Sequence, residues 1–285
     1  MAPLIPVHAD PSKAEQAKRE AEKRGALKVL ESLVAQSLAL TRHVFFVPGW
    51  AGEDGICWMG PYDDLLPGHA PVKAWIERIM PPVIRAIYVH YMRFSQQESQ
   101  QCRSFLDFAV LLKQRIRQAM PAGGPMDLIG HSMGSLDNFA AIMQGPNPLL
   151  HVVNCVAVGS PLQGIFYGDF VQAVDELLPM LHWELHHYAQ VRNLDYDSTP
   201  IRYINALATR QLLLDRVQRL YTIEGTQDMV VMRSARFLLD GLDQTAKKRV
   251  VRRAIGGATH VGSAGVTQDP RTVLTILKVL AGLPV

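Results

Sequence analysis

A chain of 285 residues that is 48% hydrophobic has enough apolar material for a large core, and its length suits one α/β domain as well as two. Twenty-nine basic against 26 acidic residues leave a net charge of +3, too near neutrality to mark a nucleic-acid binder or a partner of acidic proteins. Cys57, Cys102 and Cys155 are odd in number and widely spaced, which excludes a disulfide framework and a zinc pattern and leaves buried free thiols.

In chain order, "PSKAEQAKREAEKRG" is dense in charge and reads as a solvated helix leading into the more amphipathic "ALKVLESLVAQSLAL". A basic stretch followed by an apolar core, the mark of a secretory signal, is missing there, which points to a cytoplasmic protein. No run is apolar and long enough to span a membrane. Residues 1–40 are expected to form an N-terminal helical appendage and residues 41–285 one domain.

"HVFFV", His43 to Val47, reads as a strand ending at Pro48-Gly49. A helical stretch over 69–80 is closed by Pro81-Pro82, and "VIRAIYVHY" follows as the next predicted strand. Phe105 to Met120 is amphipathic with helical spacing. Met126, Leu128 and Ile129 form a short apolar strand. From Met133 onward Leu136, Phe139, Ala140 and Met143 recur at helical spacing until Gly145, Pro146 and Pro148 stop the pattern. "VVNCVAV", "RLYTI" and Arg249 to Ile255 are further strands, and Arg271 to Ala281 is the last helix. Near-continuous apolar strands alternating with helices imply an α/β fold, with a mostly parallel central sheet covered by helices on both faces. Between Gly164 and Leu220 that rhythm fails. The stretch is aromatic-rich and too long for a simple loop, so residues 164–215 are expected to form an inserted helical cap over the strand ends.

The candidate chemistry starts at "DLIGHSMGSL". Ser132 stands between Gly130 and Gly134 at a strand-to-helix junction, where a turn this sharp leaves no room for side chains at the two glycines. The serine oxygen is then held out at the carboxyl end of the strand, and the Met133 amide points from a helix N-terminus toward developing negative charge. A second oxyanion amide is expected from the loop after the first strand, "VFFVPGWAGEDG", where the amide of Trp50 follows a glycine. A serine hydroxyl needs a base. His131 adjoins Ser132, but successive side chains diverge at such a turn, so it is expected to pack beside the elbow. His260, in the glycine-rich "IGGATHVGSAG" before the last helix, can be carried across the top of the sheet. The acid should also stand at a strand end. "LYTIEGTQDMVV" offers Asp228 beyond the turn at Gly225, with Glu224 as its competitor. Ser132, Asp228 and His260 each fall at the end of a predicted strand. His182 and His186, four apart, could share a helix face toward zinc, but no third ligand has useful spacing, so no metal site is expected.

"FFVPGW", "GHSMGS", "AVGSPLQG", "IEGTQDMVV" and "GATHVG" together resemble the α/β-hydrolase superfamily, and within it bacterial triacylglycerol lipases and related esterases. The resemblance runs from about residue 40 to the end and does not cover the cap. It implies a serine carboxylester hydrolase in which Ser132 forms an acyl-enzyme, His260 relays protons and Asp228 orients it, with no cofactor. Pro48-Gly49 replaces the family's early His-Gly pair, and Leu162 stands where the family's Gly-Ser-Pro-His-x-Gly stretch has histidine. The substrate expected is an apolar or lipid ester, lined by Trp50 and by the cap residues Phe166, Phe170 and Trp183. A thioesterase or acyltransferase needs the same three residues, and a non-catalytic binding protein of the same fold needs none of them.

Overall fold

The computed structural model describes residues 42–49, 56–60, 69–144, 150–166, 185–231, 236–261 and 264–285. The expected appendage over residues 1–40 lies outside them, as do Trp50, Phe170, His182 and Trp183. The elements in order are β1 (His43–Val47), α1 (Ile56–Met59), α2 (Val72–Ile79), α3 (Pro82–Tyr88), β2 (Val89–Tyr91), α4 (Gln96–Gln101), α5 (Phe105–Ala119), β3 (Gly124–His131) and α6 (Met133–Met143). They continue through β4 (Leu150–Val158), α7 (Leu185–Arg192), α8 (Thr199–Asn205), α9 (Leu207–Arg216), β5 (Val217–Gly225), α10 (Gln244–Lys248), β6 (Val250–Ile255) and α11 (Pro270–Leu280).

The six strands form one sheet in the order β2-β1-β3-β4-β5-β6, and every pairing is parallel. Parallel neighbours need crossovers, and helices supply them on both faces. Alternation along each strand sends its side chains to two separate cores. Phe45, Leu128, Cys155 and Leu220 meet α5, α6 and α9 on one face. Val44, Phe46, Ile129, Val156 and Tyr221 meet α2 and α11 on the other. The sequence reading of a parallel sheet with helices on both faces is therefore the observed one.

Strand order reverses between β1 and β3. The chain leaves β1 outward to β2, crosses back, and then winds the other way from β3 to β6. In open parallel sheets such a switch point leaves a crevice at the carboxyl ends of the strands. The loop after β1 and the turn after β3, where Pro48-Gly49 and Ser132 stand, flank it.

One expected strand is corrected. Of "VIRAIYVHY" only Val89–Tyr91 is strand, and Pro82–Tyr88 is helix. Pro82 occupies the first helical turn, where its fixed φ and missing N–H cost nothing. The apolar run is not buried either: Val83 is 69% exposed, so its hydrophobicity carried no information about the sheet. Three short helices went unassigned from sequence, α1, α4 and α10. The second is closed by a capping box in which the Ser95 side chain accepts from the Glu98 amide and Glu98 accepts from the Ser95 amide.

The expected insertion is described only in part, since residues 167–184 are outside the described ones. Ile165 bridges to Asp195 beyond the strand end, α7 packs on α4, and α9 packs on α6 and β5 as a crossover helix.

The edge strand β2 carries a histidine pair. His90 Nε2 lies 2.8 Å from His43 Nδ1 across the β1–β2 pairing, with the rings stacked at 5.1 Å. Burial, and next the His43 charge, push His90 down to about 4, and burial lowers His43 as well. A histidine with a lowered folded-state pKa stabilises the fold above its unfolded value, near 6.5, and that contribution is lost as pH falls toward the folded value. The urea midpoint is therefore expected to drop between about pH 6.5 and pH 4, and to drop less in His90→Phe. Equal slopes in the two proteins, measured by equilibrium unfolding, would remove this pair as a source of acid sensitivity.

Candidate active site

Ser132 has φ 53° and ψ −127°, and it is the one non-glycine residue with positive φ among the described residues. Such a conformation costs on the order of 1–3 kcal/mol and persists only where the surroundings enforce it. Here they do so by contact. A Cβ on Gly134 would lie 2.2 Å from the Pro48 carbonyl oxygen, and one on Gly49 would lie 2.8 Å from Ser132 Cβ. The β1 loop, the serine and the first turn of α6 thus occupy one tight junction that only glycine admits at both positions. Ser135 Oγ donates to the Gly130 carbonyl at 2.9 Å and closes the turn from below. The Ser132 amide donates to the Val158 carbonyl at 2.9 Å, which ties the turn to β4.

His260 Nε2 lies 3.0 Å from Ser132 Oγ, and His260 Nδ1 lies 2.8 Å from Asp228 Oδ2. Residues 128 apart in sequence are brought together because β3, β5 and β6 all end on one side of the sheet. The Asp228 carboxylate is fully buried and divides its oxygens. Oδ1 accepts from the Val230 and Val231 amides at 3.1 and 3.0 Å, and Oδ2 is left to face the imidazole. The loop carrying His260 is closed by the Val266 amide donating to the Thr259 carbonyl, and its base is spanned by Arg271. That guanidinium donates to Asp269 and to the Gly256 carbonyl. Glu224, the competing acid, is the penultimate residue of β5, in register with Ala254 and half-buried.

With Asp228 accepting at Nδ1, the proton of a neutral His260 sits on that nitrogen, and Nε2 is free to accept from Ser132. His131 does not approach the serine oxygen. Its ring is buried, edge-on to Trp58 at 6.1 Å and tilted against His260 at 4.9 Å. Burial drives the His131 imidazole well below its usual pKa, and the neighbouring His260 acts in the same direction, so it stays neutral. Trp58 is itself anchored by its indole N–H, which donates to the Val47 carbonyl at 2.9 Å. Neither the Trp58–His131 wedge nor the Arg271 strap was read from the sequence. The two amides that hold Asp228 carry a local signal, since an aspartate accepting from its own chain two and three residues on is an Asx-type turn.

Met133 is the first residue of α6, where backbone N–H groups lack helical partners. Of the expected substrate-lining residues, Phe166 is described: it is half exposed and its ring meets Tyr196 at 4.7 Å. The zinc alternative at His182 and His186 falls outside the described side chains. Among those that are described, no group of three or more His, Cys, Asp or Glu is placed to hold a metal ion.

No protein-family model matches the chain, and no curated protein matches it by sequence. Solved structures do. Phospholipase PlaB from Legionella pneumophila superposes with a TM-score of 0.57 at 13% identity, over 84% of this chain and 60% of that one. Lipase B from Aspergillus fumigatus gives 0.52 at 14% identity over 84% and 52%, and a metagenomic carboxyl esterase gives 0.51 at 12% identity over 85% and 75%. The chain spans about three-fifths of the length of the phospholipase. What these proteins have in common with it is the architecture, and the chain has the α/β-hydrolase fold.

Proposed function

We propose that the chain is a serine carboxylester hydrolase that cleaves an apolar acyl ester through an acyl-enzyme on Ser132. The observation that carries this reading is the hydrogen-bonded series Ser132 Oγ, His260 Nε2, His260 Nδ1, Asp228 Oδ2, at 3.0 and 2.8 Å, built on a serine held in strained backbone. A strained turn is retained where it positions something, and a buried carboxylate aligned on an imidazole is what a weak hydroxyl nucleophile needs. The substrate class is taken from the fold neighbours, which are named as a phospholipase, a lipase and a carboxyl esterase.

In the reaction so read, His260 Nε2 takes the Ser132 proton as the oxygen attacks the ester carbonyl. The resulting oxyanion is received by the amides of Met133 and Trp50, each worth about 3 kcal/mol in the transition state. Asp228 stabilises the imidazolium without taking its proton. The tetrahedral intermediate collapses, the C–O bond to the alcohol breaks, and His260 returns its proton to the departing oxygen. Water, activated by the same nitrogen, then cleaves the acyl-serine and releases the acid. Each step uses groups of this chain and water alone.

The test is hydrolysis of p-nitrophenyl esters of increasing acyl length. A rate that rises with chain length before falling is expected, with Phe166→Ala shifting the preferred length. An absence of ester turnover at every length, in protein shown to be folded, would overturn the proposal, and faster turnover of the matching thioesters would move it to the thioesterase reading.

A further inference from the structure

More converges on His131 than packing beside the turn requires. Its backbone runs directly into Ser132, and a Cβ on Gly49 would lie 3.3 Å from His131 Nδ1, so the imidazole stands where the loop after β1 meets the turn after β3. Its ring meets the His260 ring with centroids 4.9 Å apart and planes tilted by 35°, and the buried Trp58 meets it edge-on at 6.1 Å. A ring N–H of His131 is also directed at the His260 backbone. Nε2 is buried with no hydrogen-bond partner among the described residues, so the donor is Nδ1. Burying Nε2 unpaired costs free energy that an apolar side chain of similar size would avoid. Space-filling alone therefore does not account for a histidine here, and the bond made by its other nitrogen does.

The His260 loop needs such a hold. The Thr259 amide donates to the Ala264 carbonyl, the Val266 amide to the Thr259 carbonyl, and the Arg271 guanidinium to the Gly256 carbonyl. These bonds close the loop and leave the His260 ring to its own contacts. Asp228 fixes one ring nitrogen, and a single hydrogen bond leaves the ring free to swing about it. Contact with the ring and a bond to the backbone that carries it remove that freedom, and the 3.0 Å approach of Nε2 to Ser132 Oγ depends on its removal. The hold also adds no charge, because full burial keeps the His131 imidazole neutral. A lysine or arginine could make the same bond, but its charge would oppose the one that forms on His260 when the serine proton is taken.

We propose that His131 is a positioning residue for the reaction: through its ring and its Nδ1–H it holds His260 at bonding distance from Ser132. The effect on rate rests on the hydrolase reading above, and the effect on the His260 ring rests on geometry alone.

The test compares His131→Leu with His131→Asn. Leucine refills the space without a donor. Asparagine carries an N–H at the position of Nδ1 and leaves a gap, so packing alone ranks leucine above asparagine, and the urea midpoints should follow that order. Positioning predicts the reverse order for chemistry. Per active site titrated with a fluorophosphonate, His131→Leu should lose about thirtyfold in kcat for a p-nitrophenyl ester and His131→Asn no more than about fivefold, with KM within about twofold in each. A second readout needs no turnover. The His260 Nδ1–H proton, bonded to Asp228 at 2.8 Å, should give a sharp downfield signal in proton NMR of the unaltered protein and of His131→Asn, and a signal broadened by exchange with water in His131→Leu. An unaltered protein with that signal and no ester turnover would remove the hydrolase reading, and the NMR comparison would then decide this one by itself. Wild-type kcat per site in His131→Leu, an asparagine variant slower than the leucine one, a loss carried by KM, or an unchanged His260 signal in His131→Leu overturns the proposal.

Discussion

Ser132→Ala is expected to abolish ester turnover and labelling by a fluorophosphonate probe, with a loss on the order of a millionfold in kcat. What survives is the roughly thousandfold or greater acceleration over water that oxyanion donors and substrate positioning give without a nucleophile. The fold should be untouched. Alanine keeps the Cβ that Ser132 already accommodates at φ 53°, and Ser132 is an N-cap whose side chain makes no capping hydrogen bond to α6. The urea midpoint is therefore expected to change little. Ser132→Gly goes further, because glycine adopts positive φ without strain. It should be equally inactive yet more stable than Ser132→Ala by about 1 kcal/mol. An alanine variant that still labels fully at another serine would show that the nucleophile lies elsewhere. A glycine variant less stable than the alanine one would show that the turn is not strained.

The readable parts of this fold were those in which local pattern and tertiary role coincide. β4 is apolar on both faces because helices cover both, and "VVNCVAV" says so directly. The last helix announces itself by Asp269 as N-cap, whose side chain accepts from the Arg271 amide, followed by Pro270. The segment after Pro81 misled because hydrophobicity was read without its punctuation. Val83 and Ile87 are exposed, and a proline in the first helical turn was the stronger signal. The serine junction was legible as Gly-x-Ser-x-Gly in strand-turn-helix context. The aspartate could be placed only against Glu224, because both stand near a strand end, and which of them meets His260 is a long-range fact. The geometry separates them: the Asp228 carboxylate touches His260, and the Asx-type turn through Val230 and Val231 aims it. Trp58 behind His131 has no local signature, since a tryptophan in a short helix looks the same whether or not it supports a site.

Removing either partner of Ser132 tests whether the three residues act as a unit. His260→Ala should lower kcat by several orders of magnitude, because the serine then keeps its proton and the leaving alcohol has no donor. Asp228→Asn should cost less, about ten-thousandfold, by presenting an amide that favours the wrong imidazole tautomer. If the groups work in series, the variant altered at Ser132, Asp228 and His260 together should be no worse than Ser132→Ala, because one break already disables the chain. Rates that multiply across the variants would instead mean three independent contributions. Glu224→Gln sharpens the test: a crippled Glu224→Gln beside a mild Asp228→Asn would transfer the acid's role to Glu224. The sign of the pH dependence follows from the same geometry. His260 must be neutral at Nε2 to take the serine proton, so kcat/KM should rise from acid to neutral pH and then level off. His131 adds no second step, because burial keeps its imidazole neutral throughout that range. A profile that is flat from acid to neutral pH, with chemistry limiting, would remove His260 as the base.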